Sequence, residues 1–511
     1  MDLAIIDVEV FGSSTEAELE AVGIADGKIS MLGSEKQVVD ASDKETKVID
    51  GEGGTLIPGF NDSHTHFASM GVSMAEYLDL GEVTSKEELL RQVEKEARKK
   101  PDGEWVIGIG WDESNWSGDR EFMLKGEIDR VAPDNPVSLR RIDGHLSCLN
   151  SFALDKLDFD PEMEGYQLED GEPTGRVMEE ARYVIRQEIK PDIGQLERGI
   201  VEAADKAHRL GVTSIHDVHI NKRKFKAYQN LRRSGELSIR ARVYFERELL
   251  DDIIELGLMT GFGDDMLSLG GLKLFTDGSI GAKTAWVNDG YIDEPDNHGT
   301  PIWDREELRQ TMARAHENGL QIATHAIGDR AVTEVLDAME EVTSGEDKGL
   351  RHRLEHGEMM TEENLKRTRS LGMVASMQPN FIGEWGLPGG MYEDRFPEEQ
   401  VEKLNPLRQV LEEGIPLAFG SDCMPFDPLY GVASAVNTPH PAQKLTPEEA
   451  IGAYTNGSAY SEFMDEKKGV VAEGGLADLA LLDGNPEENP EDIASLEVTL
   501  TVLDGEIVFR E

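Results

Sequence analysis

The sequence has few cysteines, no long apolar run and no basic segment at its start, and each shortage excludes a class of protein. Only two cysteines, Cys148 and Cys423, occur among 511 residues. They lie far apart and fit no metal or redox spacing, so no disulfide framework is expected. No stretch approaches the ~18 apolar residues of a membrane span, and the N-terminus MDLAIIDVEV does not resemble a signal peptide. We therefore expect a cytoplasmic protein without a membrane partner.

Cationic residues are also in short supply. The chain has 51 Lys and Arg residues against 101 Asp and Glu residues, a formal net charge of −50. A field of this sign repels phosphates, so we expect no nucleic-acid partner. Two interpretations remain, an ordinary acidic enzyme and a halophilic enzyme whose self-repulsion is screened by salt. The acidic residues are numerous and spread along the whole chain, which favours salt adaptation.

Short apolar runs and turn sequences mark both ends of the chain. Asp26-Gly27 and Asp504-Gly505 each separate two β-prone runs, a strong hairpin signal. Neither end has enough strands to bury a face alone, although two separate decorations are an alternative. We predict one composite β-sandwich formed by residues 1–55 and 466–511.

Between these ends, short β-branched runs alternate with helical stretches, the pattern of parallel βα units. Eight candidate strands are present, the number that a closed barrel needs. The segment from about residue 67 to 205 is too long for a simple connection and predicts an inserted subdomain. We expect an α/β fold in which residues 56–465 form a (β/α)₈ TIM-like barrel with this insertion after its first strand. The candidate strands are residues 56–60, 212–215, 241–245, 272–275, 321–324, 352–355, 373–377 and 417–419.

Histidines and a carboxylate follow several of these strands. On a strand end, side chains at i and i+2 point the same way, so His64 and His66 can reach one metal. His325, His356 and Asp422 each follow another strand, and barrel chemistry lies where the carboxyl ends of the strands meet. This donor set suits Zn²⁺ better than Mg²⁺ or Ca²⁺. We predict a zinc-type centre, although any single one of these residues could be a hydrogen-bonded core position.

Lys273 lies within the otherwise apolar run Leu272–Phe275. A bare cation inside a barrel is costly. An ion pair, a lowered pKa or conversion to a carbamate by carbon dioxide would each relieve that cost, and the residues alone favour an ion pair.

The ligand-bearing motifs together resemble those of the amidohydrolase superfamily, and several further motifs resemble its amidohydrolase-3 (YtcJ-like) branch. The likeness runs from the N-terminal β segment to the last residues, with the motifs in chain order. The ligand-bearing motifs are His64-x-His66, GLKLFTDGSIG (270–280), ATHAIGDRA (323–331), HRLEHG (352–357) and FGSD (419–422). The branch motifs are GWDESNW (110–116), DGHLSCLNS (143–151), GEPTGRVMEEA (171–181) and GGLADLALLDGNP (474–486).

The resemblance implies one or two divalent metal ions, with zinc as the expected metal. His64, His66 and Asp422 would hold one ion, His325 and His356 the other, and a carboxylated Lys273 would bridge them. It also implies a homodimer and hydrolysis of a C–N bond in a small amide, formamide or related molecule. Asp422 is the expected general base toward a metal-activated water.

Three further residues are candidates for substrate binding, namely His145, His216 and Trp111. Each could equally be structural. Two alternative functions stay open: an isomerase or lyase on the same fold, and a catalytically silent scaffold.

Overall fold

A computed structural model places residues 1–12, 19–118, 120–142, 144–163, 165–178, 181–343 and 348–511. Its backbone separates into two compact units, Met1–Phe67 with Ala204–Glu511 and, by itself, Ala68–Ala203.

The strands, in chain order, are β1 (Leu3–Val10), β2 (Ala21–Ala25), β3 (Lys28–Gly33), β4 (Lys47–Pro58), β5 (Phe60–Thr65), β6 (Leu78–Asp79), β7 (Val106–Trp111), β8 (Val137–Arg141), β9 (Leu146–Leu149), β10 (Tyr166–Glu169), β11 (Glu172–Met178), β12 (Val212–Ile220), β13 (Arg240–Phe245), β14 (Leu267–Phe275), β15 (Gln321–Ala326), β16 (Arg353–His356), β17 (Val374–Met377), β18 (Leu417–Phe419), β19 (Leu479–Leu482), β20 (Val498–Leu503) and β21 (Glu506–Arg510). The α-helices are α1 (Glu35–Ala41), α2 (Phe67–Glu76), α3 (Lys86–Ala97), α4 (Lys125–Val131), α5 (Ser151–Lys156), α6 (Arg182–Glu188), α7 (Ile193–Arg209), α8 (Lys222–Ser234), α9 (Leu250–Glu255), α10 (Arg305–Glu317), α11 (Asp329–Thr343), α12 (Glu362–Ser370), α13 (Glu398–Val401), α14 (Leu407–Glu412), α15 (Pro428–Asn437), α16 (Pro447–Gly452) and α17 (Ser458–Ser461).

A parallel eight-stranded sheet forms the nearly closed barrel that the sequence predicts. Its order is β5, β12, β13, β14, β15, β16, β17 and β18. The two edge strands meet where the backbone N–H of Asp422, just beyond β18, donates to the carbonyl oxygen of His64 in β5 at 2.8 Å. The predicted fold class is confirmed, and the carboxyl ends of all eight strands lie at one end of this barrel.

The first barrel strand begins later than predicted. Leu56–Phe60 was expected to open the barrel, yet Leu56 and Ile57 belong to the end of β4 and pair with β19. Gly59 separates the two strands, and a Cβ at this position would lie 2.4 Å from the side chain of Thr213. The chain therefore leaves one sheet and enters the other across a single glycine. The histidine motif consequently lies within β5 and at its end.

Strands from both ends of the chain share one seven-stranded sheet, ordered β21, β20, β19, β4, β1, β2 and β3. This sheet bends back on itself, because Lys28 at the start of β3 forms a β-bridge with Leu476 just before β19. Apolar side chains from both chain ends fill one core between its halves, including Leu3, Ile24 and Leu500. Both Asp-Gly hairpins form as predicted.

The second unit has its own sheet and its own core. Its six strands are ordered β10, β11, β9, β8, β7 and β6. Its central strands include β8, in which Val137, Ser138 and Leu139 are buried. Ser85 caps α3 by accepting a hydrogen bond from the N–H of Glu88. Three residues of the branch motifs lie outside the described residues: Asp143, Glu179 and Glu180.

Across the described ranges, none of the helices combines the length and the apolarity that crossing a bilayer demands.

Candidate metal centre

Four barrel strands bring the predicted ligands to one end of the barrel. His64 lies in β5 and His66 directly follows that strand, while His325 lies in β15. His356 is the last residue of β16, and Asp422 comes three residues after β18. Because these strands are parallel, their carboxyl ends carry all five side chains to the same face.

Two of the histidines are oriented by buried polar side chains. The Nδ1 atom of His64 lies 2.5 Å from the carboxylate of Glu355, and the Nδ1 atom of His356 lies 2.6 Å from Oε1 of Gln378. Both partners accept a hydrogen bond, so the proton of each ring is assigned to Nδ1 from the network. This leaves the lone pair of each ring on Nε2, the atom that a metal would bind.

The other two histidines are held by backbone carbonyl groups. His66 approaches the carbonyl oxygen of Val218 with Nδ1 at 3.3 Å, and His325 approaches that of Gly278 with Nε2 at 3.0 Å. The same reasoning leaves Nε2 of His66 and Nδ1 of His325 free to bind a metal. All four rings thus have one nitrogen fixed by the protein and one available.

The available donor atoms converge. Oδ1 of Asp422 lies 3.2 Å from Nε2 of His66 and 3.9 Å from Nε2 of His64. The donor atoms of His64, His356 and Asp422 all lie within 4.8 Å of one another. The rings of His325 and His356 have their centroids 4.4 Å apart. The chemistry and the spacing of this donor set fit a zinc-type ion.

Electrostatics keep Asp422 ionised. Burial raises the pKa of this carboxyl group, but the neighbouring His66 and the charges of His64 and Lys273 outweigh burial and hold the pKa at about 2. Burial and the nearby Lys273 lower the pKa of His64 to about 4. A neutral His64 imidazole beside an ionised Asp422 carboxylate is the combination of protonation states that metal binding requires.

Lys273 lies at the same centre, with its Nζ 4.9 Å from the ring centroid of Phe275. Its side chain is 1% exposed, and its Nζ has no hydrogen-bond partner among the residues that the structure describes. Burial lowers its pKa to about 8. Glu355 and Asp422 act on Lys273 electrostatically, but no carboxylate of the described residues is in direct ion-pair contact with Nζ, unlike the ion pair that the residues alone favour. The charge of Lys273 acts on His64, His356 and Asp422, which places it beside the ligand cluster.

Two predicted ligands have backbone conformations that side chains rarely adopt. His356 has φ 69° and Asp422 has φ 51°. Such residues persist where the surroundings determine the conformation, often at functional sites. Here Asp62 contributes, because its Oδ1 accepts hydrogen bonds from the N–H groups of Ser421 at 2.9 Å and His64 at 3.2 Å.

Asp277 fixes the loop that follows β15. Its carboxylate accepts backbone hydrogen bonds from Ile327 at 3.1 Å and from Gly328 and Trp286 at 2.8 Å. Its Oδ1 also lies 3.4 Å from Nε2 of His325. Asp277 therefore ties the ring of a predicted ligand to two backbone segments.

Sequence reasoning missed the ion pair beneath the ligands. Arg353 and Glu355 are completely buried in β16 and form two hydrogen bonds of 2.7 and 2.9 Å. Burial raises the pKa of Glu355, but Arg353 and His64 outweigh it and hold the pKa well below its usual range. The available signal was the occurrence of two charges at i and i+2 in a strand of a predicted barrel, which points both inward.

The structure gives the three substrate candidates different surroundings. Trp111 is completely buried in the core of the second unit, where its Nε1 donates to the carbonyl of Leu139. His145 is exposed between β8 and β9 in the same unit. His216 is buried in the barrel, with Nδ1 2.7 Å from Arg353 and Nε2 3.6 Å from Glu462. Trp111 and His216 are thus buried and His145 is exposed, and the substrate-binding role of all three stays a prediction.

The fold is a parallel βα barrel. At the carboxyl ends of its strands lie four histidines, one aspartate and a buried lysine, an arrangement typical of barrel proteins that bind metal ions. The amidohydrolase family model (Amidohydro_3) matches residues 47–509. The chain belongs to the amidohydrolase family, as its motifs predict.

Relatives and solved structures agree with this assignment. "Putative amidohydrolase YtcJ" of Bacillus subtilis (strain 168) is 31% identical over 96% of this chain and 96% of its own. The N-substituted formamide deformylase of Arthrobacter pascens is 26% identical over 100% of this chain and 98% of its own. The crystal structure of an uncharacterised metal-dependent hydrolase from Pyrococcus furiosus is similar with a TM-score of 0.82 at 29% identity, over 95% of this chain and 99% of that one.

Proposed function

We propose that this protein is a zinc-dependent hydrolase that cleaves a C–N bond of a small amide, formamide or related molecule. The observation that carries the proposal is the convergence of His64, His356 and Asp422 donor atoms beside a buried Lys273. The formamide deformylase activity named for the relative from Arthrobacter pascens supports this substrate class.

The ligands divide as the family resemblance implies. His64, His66 and Asp422 would hold one ion, and His325 with His356 would hold a second. The fixed tautomers support this arrangement, because each ring presents its free nitrogen while its other nitrogen binds the protein. Zinc, when bound, would lower the pKa of a coordinated water toward ~7 and polarise the carbonyl of the substrate.

Asp422 is the residue that would move the proton. As an ionised carboxylate it can accept the proton of the attacking water, and it can then donate that proton to the leaving nitrogen. Nε2 of His66 lies 3.2 Å from its Oδ1, close enough for both atoms to contact one ion. A bound metal ion changes the charge around Asp422, so the pH dependence of this step is to be measured on the metal-loaded enzyme.

Lys273 would act as a bridging ligand after carboxylation. The neutral Nζ would attack carbon dioxide, form an N–C bond and release one proton, which yields a carbamate anion. Burial and the lack of a partner favour this reaction, because both disfavour the ammonium form that cannot attack. A carbamate would also place a negative charge where the cluster now has an isolated cation.

The metal content of wild type and of Lys273→Ala tests this proposal. We expect about two zinc ions per wild-type chain by elemental analysis, with a sharp fall in the variant. One ion in both proteins would contradict the bridged centre and leave a mononuclear site. Metal-free wild type, prepared without chelators, would overturn the metal-dependent function.

A panel of formamides and amides tests the reaction. We expect hydrolysis of at least one member by metal-loaded wild type and loss of turnover in Asp422→Asn. A loaded but inactive wild type, tested also on isomerase and lyase substrates, would favour the silent scaffold. Turnover on those substrates alone would favour the isomerase or lyase alternative.

Dimer formation and salt adaptation belong to the same proposal. A homodimer follows from the family resemblance, and sedimentation of the metal-loaded protein tests it. Salt adaptation rests on the net charge of −50.

A further inference from the structure

A cavity lies at the end of the barrel opposite the metal centre. Its volume is about 340 Å³, and the starts of β13 and β14 contribute to its wall, together with the segment that follows α17. Its lining is rich in charged groups, unlike the apolar packing of a barrel floor. The residues used below that line it are Arg240, Arg242, Ser268, Glu462, Phe463 and Lys468.

Two arginines of β13 line this cavity, and their pairing differs. Arg240 is 3% exposed and binds both carboxylate oxygens of Asp478, at 2.6 and 2.9 Å, with a further contact to Asp504 at 3.0 Å. Arg242 is 4% exposed, and no carboxylate of the described residues lies within ion-pair distance of it. Its charge acts on Glu462, but that carboxylate is in direct contact with Lys468 instead. A buried guanidinium without a carboxylate in direct contact is costly, so Arg242 requires an explanation that Arg240 does not.

The unpaired edge of Arg242 has a specific shape. Its Nη1 donates to Oγ of Ser268 at 3.3 Å, whereas Nε and Nη2 have no partner among the described residues. These two N–H groups point in one direction and form the fork that matches two oxygens of a carboxylate or phosphate. In this conformation surrounding side chains shield both atoms from water. Binding therefore requires the guanidinium to turn toward the cavity, which breaks the long bond to Ser268.

The acidic groups of the cavity wall are already paired. Glu462 lies 2.7 Å from Nζ of Lys468. Asp265 lies 2.8 Å from Lys467, and Asp264 lies 3.0 Å from Arg232. Among the described residues of the wall, Arg242 is therefore the cation without a carboxylate in direct contact, and it acts on Glu462 only from beyond ion-pair distance.

We propose that this cavity binds a small oxyanion, a carboxylate or a phosphate, through the Nε and Nη2 groups of Arg242. Phe463 supports the guanidinium from one side, since its ring centroid lies 5.7 Å from the guanidinium carbon. Phe463 lines the cavity and has φ 67°, a backbone conformation that is strained for a phenylalanine. The site is distinct from the metal centre, because it lies at the starts of the strands.

Thermal unfolding of the metal-loaded protein with inorganic phosphate or acetate tests the proposal. An anion that binds only the folded state raises Tm with concentration. We expect wild type to gain several degrees, and we expect Arg242→Met to lose this gain. Anions bound at the metal centre would raise Tm equally in both proteins, so the difference between them isolates this cavity. A larger gain with phosphate or with acetate identifies which of the two oxyanions the cavity prefers.

Three further variants complete the test. Arg314→Met removes one exposed cation outside the cavity wall and should respond like wild type. In buffer without phosphate or carboxylate, Arg240→Met should lower Tm because it leaves Asp478 unpaired, while Arg242→Met should not lower it. Arg242→Lys keeps the positive charge but lacks the paired N–H groups of the guanidinium, so its Tm should rise only slightly with phosphate. This variant replaces Arg242→Met in the test if Arg242→Met does not fold.

Diffraction from crystals equilibrated with selenate locates the anion directly. An anomalous peak within hydrogen-bond distance of Arg242 supports the proposal. Selenate found at the metal centre alone, or an Arg242→Met variant that responds to phosphate like wild type, would overturn it.

Discussion

Each histidine of the metal centre has one ring nitrogen held by the protein, and the acceptors differ in kind. His64 uses the carboxylate of Glu355, His356 uses the amide of Gln378, and the other two use backbone carbonyls. Such partners set the tautomer and the ring orientation before a metal arrives. At the scale of the residue, the site is therefore already organised for an ion.

Gln378→Leu tests this organisation without changing a ligand. The substitution removes the acceptor for Nδ1 of His356, so the ring can adopt the wrong tautomer or orientation. We expect zinc affinity to fall by about 10- to 100-fold, measured by competition with a chromogenic chelator. Gln443→Leu is a matched control, because Gln443 is equally buried and its amide binds Leu404 and Thr438 away from the centre. An equal loss of affinity in both variants would show a general packing defect instead.

At the scale of the element, a pair of buried histidines joins α10 to β15 and β16. Nδ1 of His352 accepts a hydrogen bond from the backbone N–H of Ile322 at 3.1 Å, so its proton lies on Nε2. That nitrogen donates to Nδ1 of His316 at 2.9 Å. Burial and the neighbouring His316 lower the pKa of His352 to about 3. Protonation of His352 would add a proton to Nδ1, which would then face the N–H of Ile322 and could no longer accept its hydrogen bond. A low pH therefore destabilises the contact between α10, β15 and β16.

The sign of the pH effect follows from this lowered pKa. The pKa of His352 is 6.5 in the unfolded chain and about 3 in the folded chain. At a pH between these two values, the unfolded chain binds a proton at His352 that the folded chain does not. The contribution of neutral His352 to the free energy of unfolding is therefore complete above pH 6.5. It is lost as the pH falls below that value, by up to about 1.4 kcal/mol per pH unit. We expect the fall in Tm from pH 7 to pH 5 to be smaller in His352→Asn, whose Oδ1 can still accept from Ile322. An unchanged fall in the variant would contradict this assignment, and its Tm at pH 7 reports the packing loss separately.

At the scale of the whole molecule, the net charge of −50 opposes the compact state. Screening shortens the reach of this repulsion from about 30 Å at 0.01 M salt to about 3 Å at 1 M. We expect Tm of the metal-loaded protein to rise steadily with KCl over this range, measured by calorimetry. Sucrose at the same osmolality is the control, since it does not screen charge. A Tm that is flat or falls with KCl would contradict salt adaptation.

The sequence by itself determined the class of fold and pointed to the candidate ligand residues. Strand periodicity, the two Asp-Gly turns and the positions of His64, His325 and Asp422 are local features, and parallel strands bring local strand ends together. Tertiary structure decided which sheet each strand joined, because Leu56 and Ile57 pair with β19 instead of opening the barrel. It also decided the partners of the ligands, because Glu355 lies 291 residues from His64. Local patterns contain no record of such distant pairings, nor of which buried arginine of β13 contacts a carboxylate, since both depend on how the whole chain packs.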